Sequence, residues 1–233
     1  MSFEQYVYSL EPGYVEPYIR RAFSHAVPLQ TIVVYCYAPR AAGIPAALAK
    51  MWPNEVYPGE LVLNEAGSKV GSTATIFPVV VAGGRAIDAL RSITIGQHLF
   101  GVRNIVVAHH TFCGTTSFTA AGITKAFRAE QGVDILPVYD QESLAIHDFE
   151  SSLAHDVKLP RQAEGIPKRV NIFGCLFNID TDEFTLVFED CSSTVATTSA
   201  RTKDIHPAVR RCIEGSKLKF KVRTSRFGCA APA

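Results

Sequence analysis

The 233-residue chain lacks an excess of charge of either sign: 23 lysines and arginines stand against 22 acidic residues, a formal net charge of +1. No global field therefore draws it to nucleic acid or to an anionic membrane. It also lacks a long apolar run. The most apolar stretch, Ala74 to Ala82, is too short to span a bilayer and carries Pro78. The N-terminal Met1-Ser-Phe-Glu-Gln-Tyr-Val-Tyr-Ser-Leu has neither the basic start nor the unbroken apolar core of a secretion signal. These absences predict a cytoplasmic chain whose six cysteines are reduced. In that compartment, grouped cysteine and histidine point to metal binding or catalysis rather than disulfides. Internal repeats, low-complexity blocks and linkers are absent too, and a 47% hydrophobic content fills one sizeable core or two small ones. A single domain over 1–233 is expected.

What is present is an alternation of strand-like and helix-like segments. It predicts an α/β fold: a mostly parallel central sheet of four strands plus an antiparallel edge strand, flanked by helices. The expected strands are Thr31–Tyr35, Glu60–Asn64, Asn104–His109, Val170–Ile179 and Phe184–Glu189. The first four are nearly continuous apolar runs, as in strands covered on both faces. Helices are expected over Ile87–Phe100, between Gly83-Gly84 and Gly101, and over Leu144–Val157 before Pro160. The polar turn 178–183 predicts a hairpin between the last two strands. Residues 1–30, rich in aromatics and broken by Pro12, Pro17 and Pro28, read as a dimerisation arm with a short helix near Val15–Phe23. Residues 197–233 read as a C-terminal extension. Within it, Lys217-Leu-Lys-Phe-Lys-Val-Arg223 alternates basic and apolar residues, as an amphipathic edge strand does.

Two short segments carry the chemistry, Cys36-Tyr-Ala-Pro-Arg40 and His110-Thr-Phe-Cys113, and each closes a strand-like run. Two thiolates and one imidazole at the ends of neighbouring buried strands can make a three-ligand zinc site with one position open, the mark of a catalytic zinc. Taken alone, H-x-x-C is a weak signal, better met by a buried strand-end cysteine beside an incidental histidine. Cys175, inside a strand, reads as a small core residue, while Cys191, Cys212 and Cys229 lack paired spacing. Gly83-Gly84-Arg85 matches neither nucleotide-binding pattern and reads as a turn before a helix. Tyr35, Tyr37 and Phe112 flank the ligands, either as an apolar pocket wall or as ordinary core packing.

C-x-x-x-R followed by H-x-x-C resembles the β-class carbonic anhydrases. Pro58-Gly-Glu-Leu-Val-Leu-Asn-Glu-Ala-Gly67 resembles the family segment ending Arg-Asn-Ala-Gly, and the stretch from Ile87 to Ala108 resembles its helix and strand before the H-x-x-C loop. Cys113-Gly114 follows its Cys-Gly, and Ile172-Phe-Gly-Cys-Leu-Phe-Asn-Ile-Asp-Thr its last parallel strand. The resemblance covers roughly residues 25–190. It implies Cys36, His110 and Cys113 as Zn2+ ligands, a water on the zinc as nucleophile or acid/base, and a homodimer or tetramer of dimers. Nucleic acid and membrane are not expected partners.

Three departures surround the pocket. Ala38 replaces the aspartate of C-x-D-x-R, Asn64-Glu65 stands for Arg-Asn, and His109 replaces the usual glycine before the ligand histidine. Without the aspartate, His109, Glu65 or a substrate group must serve as proton acceptor. Arg40, left without its carboxylate, either pairs with Glu65 or binds a substrate anion. Three functions follow as expectations. The first is weak hydration of CO2 to bicarbonate. The second is hydration, dehydration or hydrolysis of a larger anionic or carbonyl compound held by Arg40. The third is a catalytically silent zinc-stabilised binding protein.

Overall fold

In chain order the principal elements are α1 (Glu16–Ala26), β1 (Thr31–Cys36), α2 (Ile44–Met51), β2 (Leu61–Leu63), β3 (Lys69–Ser72), β4 (Ile76–Val81), α3 (Ala86–Phe100), β5 (Asn104–His110), α4 (Ala120–Gln131), α5 (Gln141–Leu144), α6 (Phe149–Gln162), β6 (Asn171–Asn178) and β7 (Glu183–Asp190). This computed structural model describes residues 3–191. The expected Lys217–Arg223 strand, the rest of 197–233, Cys212 and Cys229 lie outside the described residues. No helix among the described residues is long and apolar enough to cross a membrane.

Five strands form the central sheet in the order β4-β1-β5-β6-β7. The first four run parallel and β7 returns antiparallel to β6. Both faces of β1 and β5 are buried, which is why their sequences are continuous apolar runs rather than alternating ones. Val33, Tyr35, Val106 and Ala108 face α2, where they meet Ile44 and Leu48. Ile32, Val34, Ile105 and Val107 point the other way, toward Ile93 of α3 and Leu153 and Val157 of α6. Each such fully buried side chain stabilises the fold by roughly 1.5–3 kcal/mol relative to exposure. The α3 helix ends as its sequence requires: Gly101 is left-handed at φ 62° and its N–H returns to the Gln97 carbonyl.

Two expected elements fall elsewhere. The expected Glu60–Asn64 strand is not in the central sheet. Its core, β2, pairs only with β3 in a separate antiparallel ribbon, and Leu61–Leu63 are all exposed. The fourth parallel strand is β4, which was not among the expected strands and which carries Pro78. Because β4 is an edge, the missing proline N–H costs no ladder bond. The helix expected over Leu144–Val157 starts later, at Phe149, because the Asp148 carboxylate caps it by accepting from the Ser151 N–H at 2.7 Å. Ile146 therefore lies before the helix, and Pro160 sits within its last turn instead of stopping it.

A polar ladder crosses the foot of the sheet, at the opposite end from the Cys and His residues. Thr31, Asn104 and Asn171 are in register on adjacent strands. Asn171 Nδ2 donates to Asn104 Oδ1 at 3.1 Å, and Asn104 Nδ2 donates to the Thr31 hydroxyl at 3.1 Å. The Thr31 and Thr75 hydroxyls both donate to the buried Glu55 carboxylate. Burial pushes the Glu55 carboxyl above its ordinary value of 4.5, against the pull of the two hydroxyls. A carboxyl with a raised folded pKa holds its proton longer folded than unfolded. Its contribution is thus complete below pH 4.5 and is lost as pH rises through the raised value. Urea midpoints of wild type should fall over that window relative to Glu55→Gln, which has no proton to lose. A wild-type-to-variant difference that stays constant from acid to neutral pH would contradict this placement.

Candidate metal centre

Adjacent parallel strands lie ~4.8 Å apart, and this spacing brings two distant parts of the sequence together. Cys36 ends β1, and His110 ends the neighbouring β5. After His110 the chain turns sharply. Thr111 is anchored by its N–H to the Phe177 carbonyl, and Phe112 takes a left-handed φ of 53°. That turn presents Cys113 beside Cys36, with the sulfurs 3.7 Å apart. One ligand atom from each of Cys36, His110 and Cys113 lies within 4.8 Å of the others, and all three residues are buried.

The cluster fits a tetrahedral metal ion. Zn–S bonds of ~2.3 Å at a tetrahedral angle require sulfurs about 3.8 Å apart. The imidazole is set for the same purpose. His110 Nδ1 lies 2.9 Å from the Thr111 carbonyl, which can only accept, so Nδ1 carries the proton and Nε2 offers a lone pair. Nε2 is buried and has no hydrogen-bond partner among the described residues. A buried acceptor left unsatisfied costs about 1–3 kcal/mol, and a metal ion removes that cost.

Backbone and hydroxyl donors surround the sulfurs. The Cys36 sulfur accepts from the Ala38 N–H at 3.4 Å and from the Gly83 N–H. The Cys113 sulfur lies 3.1 Å from the Thr115 hydroxyl and also accepts from the Thr115 N–H. A hydrogen bond also joins the Cys113 and Cys36 sulfurs. That bond lowers the Cys113 pKa against the opposing effect of burial, with His110 and Thr115 adding to the fall. The same bond, with burial, raises Cys36. Burial presses the His110 pKa down, but the Cys113 sulfur and the Thr111 carbonyl outweigh it and the net direction is up. A divalent cation that binds both sulfurs as thiolates must displace the proton held in the bond between them.

The turn after β4 explains part of this geometry. Gly83 and Gly84 have φ of 63° and 70°. A Cβ on Gly84 would lie 2.7 Å from the Ala108 carbonyl oxygen and 3.2 Å from the Cys36 nitrogen. Only glycine lets this turn pack between the two ligand-bearing strands. The Ala-Gly pair beside the ligands is thus Ala82-Gly83, not Ala66-Gly67, which lies in the exposed turn of the β2–β3 ribbon. Val80 and Val81 precede it, with Val81 in register with Cys36.

The remaining candidates are placed differently from the ligands. Arg40 is exposed rather than buried, and its Nη2 donates to the Phe112 carbonyl at 2.9 Å. No ion pair joins it to Glu65, which sits exposed in the ribbon turn. His109 faces the side of the sheet opposite His110, where its Nε2 lies 3.1 Å from Asp156 Oδ2. The structure thus brings neither His109 nor Glu65 to the ligand triangle. Tyr35 is core, whereas Tyr37 and Phe112 are 67% and 68% exposed. Thr115, Arg85 and Asp156 were missed. Only the Gly83-Gly84-Arg85 turn signal pointed toward any of them.

No protein-family model matches this chain. Beta-carbonic anhydrase 1 of Mycobacterium tuberculosis is 33% identical over 96 residues, 40% of this chain and 55% of that protein. The carbonic anhydrase structure from Streptococcus mutans matches with a TM-score of 0.52 at 25% identity, covering 76% of this chain and 99% of that one. Together these relatives support placing the chain among the β-carbonic anhydrases. A carbon disulfide hydrolase from Acidithiobacillus thiooxidans is also similar, 29% identical over 109 residues, 40% of this chain and 54% of that protein. The chain spans about half the length of the curated relatives it matches. Against the β-carbonic anhydrase pattern, this chain carries Ala38 at the aspartate position and keeps the two cysteines and the histidine, which the structure brings together.

Purified protein should contain one zinc per chain by elemental analysis. Cys36→Ser or Cys113→Ser should weaken binding by on the order of 100-fold or more, since loss of even a supporting residue costs 10–100-fold. Apparent affinity should rise with pH as the shared proton becomes easier to displace. Folded, metal-free protein that takes up no zinc would contradict the assignment.

Proposed function

We propose that the chain is a zinc-dependent lyase of the carbonic anhydrase type, hydrating CO2 slowly, with Cys36, His110 and Cys113 as its metal ligands. The observation that carries this reading is the buried triangle of two sulfurs 3.7 Å apart and an imidazole Nε2 that lacks any protein partner among the described residues. Zinc bound there supplies Lewis-acid activation of water and of a substrate oxygen. Three protein ligands leave a position for substrate. The N–H groups of Ala38 and Gly83 and the Thr115 hydroxyl hold the two sulfurs in place. The exposed Arg40 guanidinium, steered by the Phe112 carbonyl, is the group that would take the carboxylate edge of bicarbonate. A methyl group at position 38 accepts no hydrogen bond, and neither Glu65 nor His109 is positioned to replace the missing carboxylate. Proton removal then falls to solvent or to the substrate, and the reaction is slow.

A second reading is favoured by the rim of the cluster. Ala38 leaves volume where the family has a carboxylate, and Tyr37 and Phe112 add exposed apolar surface beside it. This suits a substrate larger or less polar than CO2, hydrated or hydrolysed at the same metal. A relative named for carbon disulfide hydrolysis supports that direction.

A homodimer or tetramer of dimers fits the N-terminal arm, where Phe3, Tyr6, Leu10 and Tyr18 are all more than half exposed. A cytoplasmic setting fits a cluster that needs Cys36 and Cys113 as unoxidised thiols. Light scattering at micromolar concentration should report an oligomer, and removal of residues 1–25 should shift it to monomer. A monomer in the intact chain, or an unchanged oligomer after truncation, would contradict the role of the arm.

Ala38→Asp places a carboxylate two residues from Cys36 and within the reach of Arg40's own turn. Stopped-flow CO2 hydration should rise about 100-fold in this variant, the scale of one oriented hydrogen-bond partner at a reacting group. Any activity on a larger substrate should fall as the freed volume closes. High CO2 hydration in wild type, abolished by Cys113→Ser yet indifferent to Ala38→Asp, would show that position 38 does not limit the reaction.

A further inference from the structure

We propose that Asp156 is the positioning residue of the metal centre, a single carboxylate that holds all three ligand-bearing segments from the opposite face of the sheet. This rests on the metal reading above. Asp156 lies on α6 and is fully buried, as is His109, and the Arg85 side chain is only 3% exposed. Its Oδ2 accepts from Arg85 Nε at 2.7 Å and from His109 Nε2 at 3.1 Å, and its Oδ1 lies 3.4 Å from Arg85 Nη2. Arg85 spends its remaining nitrogen on two backbone carbonyls, with Nη1 donating to Glu142 at 2.9 Å and to Ala145 at 3.1 Å.

Each of these contacts leads to a ligand. Arg85 directly follows the Gly83-Gly84 turn, which packs against the Cys36 backbone so closely that a Cβ on Gly84 would lie 3.2 Å from the Cys36 nitrogen. His109 directly precedes His110, so a fixed His109 ring fixes the strand residue that aims the ligand imidazole. The Ala145 carbonyl held by Arg85 adjoins Ile146, whose N–H donates to the Thr115 carbonyl at 3.0 Å. Thr115 in turn bonds the Cys113 sulfur. Three routes leave one carboxylate, and they end on Cys36, on His110 and on Cys113.

A buried ion pair is weak evidence for stability, since an apolar trio of similar volume often serves as well, but it fixes geometry tightly. Outer groups that orient metal ligands contribute 10–100-fold to metal affinity. Asp156 touches none of the ligand atoms and acts only through other residues.

The test is cobalt(II) titration of the full chain, read by the visible bands of the thiolate-bound ion and by competition with a chelator. Wild type, Asp156→Asn, Arg85→Lys and Leu153→Ala are compared, each with its own urea midpoint in the metal-free state. Arg85→Lys keeps the positive charge against Asp156 but cannot also reach both carbonyls, so it carries the test should Asp156→Asn fail to fold. Leu153→Ala loosens the same helix by packing alone. Asp156→Asn and Arg85→Lys should bind cobalt about 10–100-fold more weakly, with altered bands. Leu153→Ala should lose stability yet keep the wild-type affinity and spectrum. Wild-type cobalt binding in Asp156→Asn or Arg85→Lys, or an equal loss in Leu153→Ala, would overturn the proposal. A wild-type chain that takes up no cobalt would overturn the metal reading itself, and this proposal with it.

Discussion

Two sulfurs and an imidazole nitrogen are buried together at the ends of adjacent parallel strands, and the surrounding structure serves that arrangement. Polar atoms taken out of water need partners, and a buried thiolate needs them more than a neutral group does. The chain supplies some: N–H groups of Ala38, Gly83 and Thr115, and the Thr115 hydroxyl. It supplies none to His110 Nε2 among the described residues. The β1–β5 register places Cys36 and His110 within reach of each other. The left-handed Phe112 then swings Cys113 back, and the Gly83-Gly84 turn closes the floor. Substituting a side chain at Gly84 would push directly on the Ala108 and Cys36 backbones.

The departure at Ala38 changes what Arg40 does. In the family pattern an aspartate two residues earlier would occupy this guanidinium. Here the guanidinium holds the Phe112 carbonyl instead. That bond supports the strained turn leading to Cys113 and leaves the charge facing solvent. The same arginine thus helps shape the ligand loop and remains available to an anion. In the proposed function, the missing carboxylate lowers the ability to accept a proton beside the metal and opens space for a different substrate. Both readings of the function come from this one exchange.

Much of this was legible because burial leaves strong traces in sequence. Thr31–Tyr35 and Asn104–His109 are continuous apolar runs, since both faces of β1 and β5 are covered. The α3 helix is bracketed by glycines whose backbone angles require glycine. The Cys36, His110 and Cys113 cluster was legible because metal chemistry favours soft side chains at strand ends, and the structure brings these three together. What misled was local composition without its partner. Leu61-Val-Leu63 has strand-forming residues but no sheet to join except a short ribbon, and the apolar run that holds β4 was read only for whether it could cross a bilayer. Ala-Gly occurs both at 66–67 and at 82–83, and only the packing against Cys36 shows which pair lies beside the cluster. His109 was considered as a base because it abuts a ligand, yet strand alternation sends it to Asp156 on the far face. That long-range contact, from β5 to α6, has no sequence signature.

The central claim is that Cys36, His110 and Cys113 hold one zinc with a fourth position open to substrate. X-ray absorption at the zinc edge on the purified full chain measures it most directly. The account predicts two sulfur neighbours at ~2.3 Å, one imidazole nitrogen at ~2.0–2.1 Å and a single further light atom, with the light-atom shell altered when bicarbonate or another small anion is added. A shell of four protein ligands unchanged by any added anion, or fewer than two sulfurs, would contradict it.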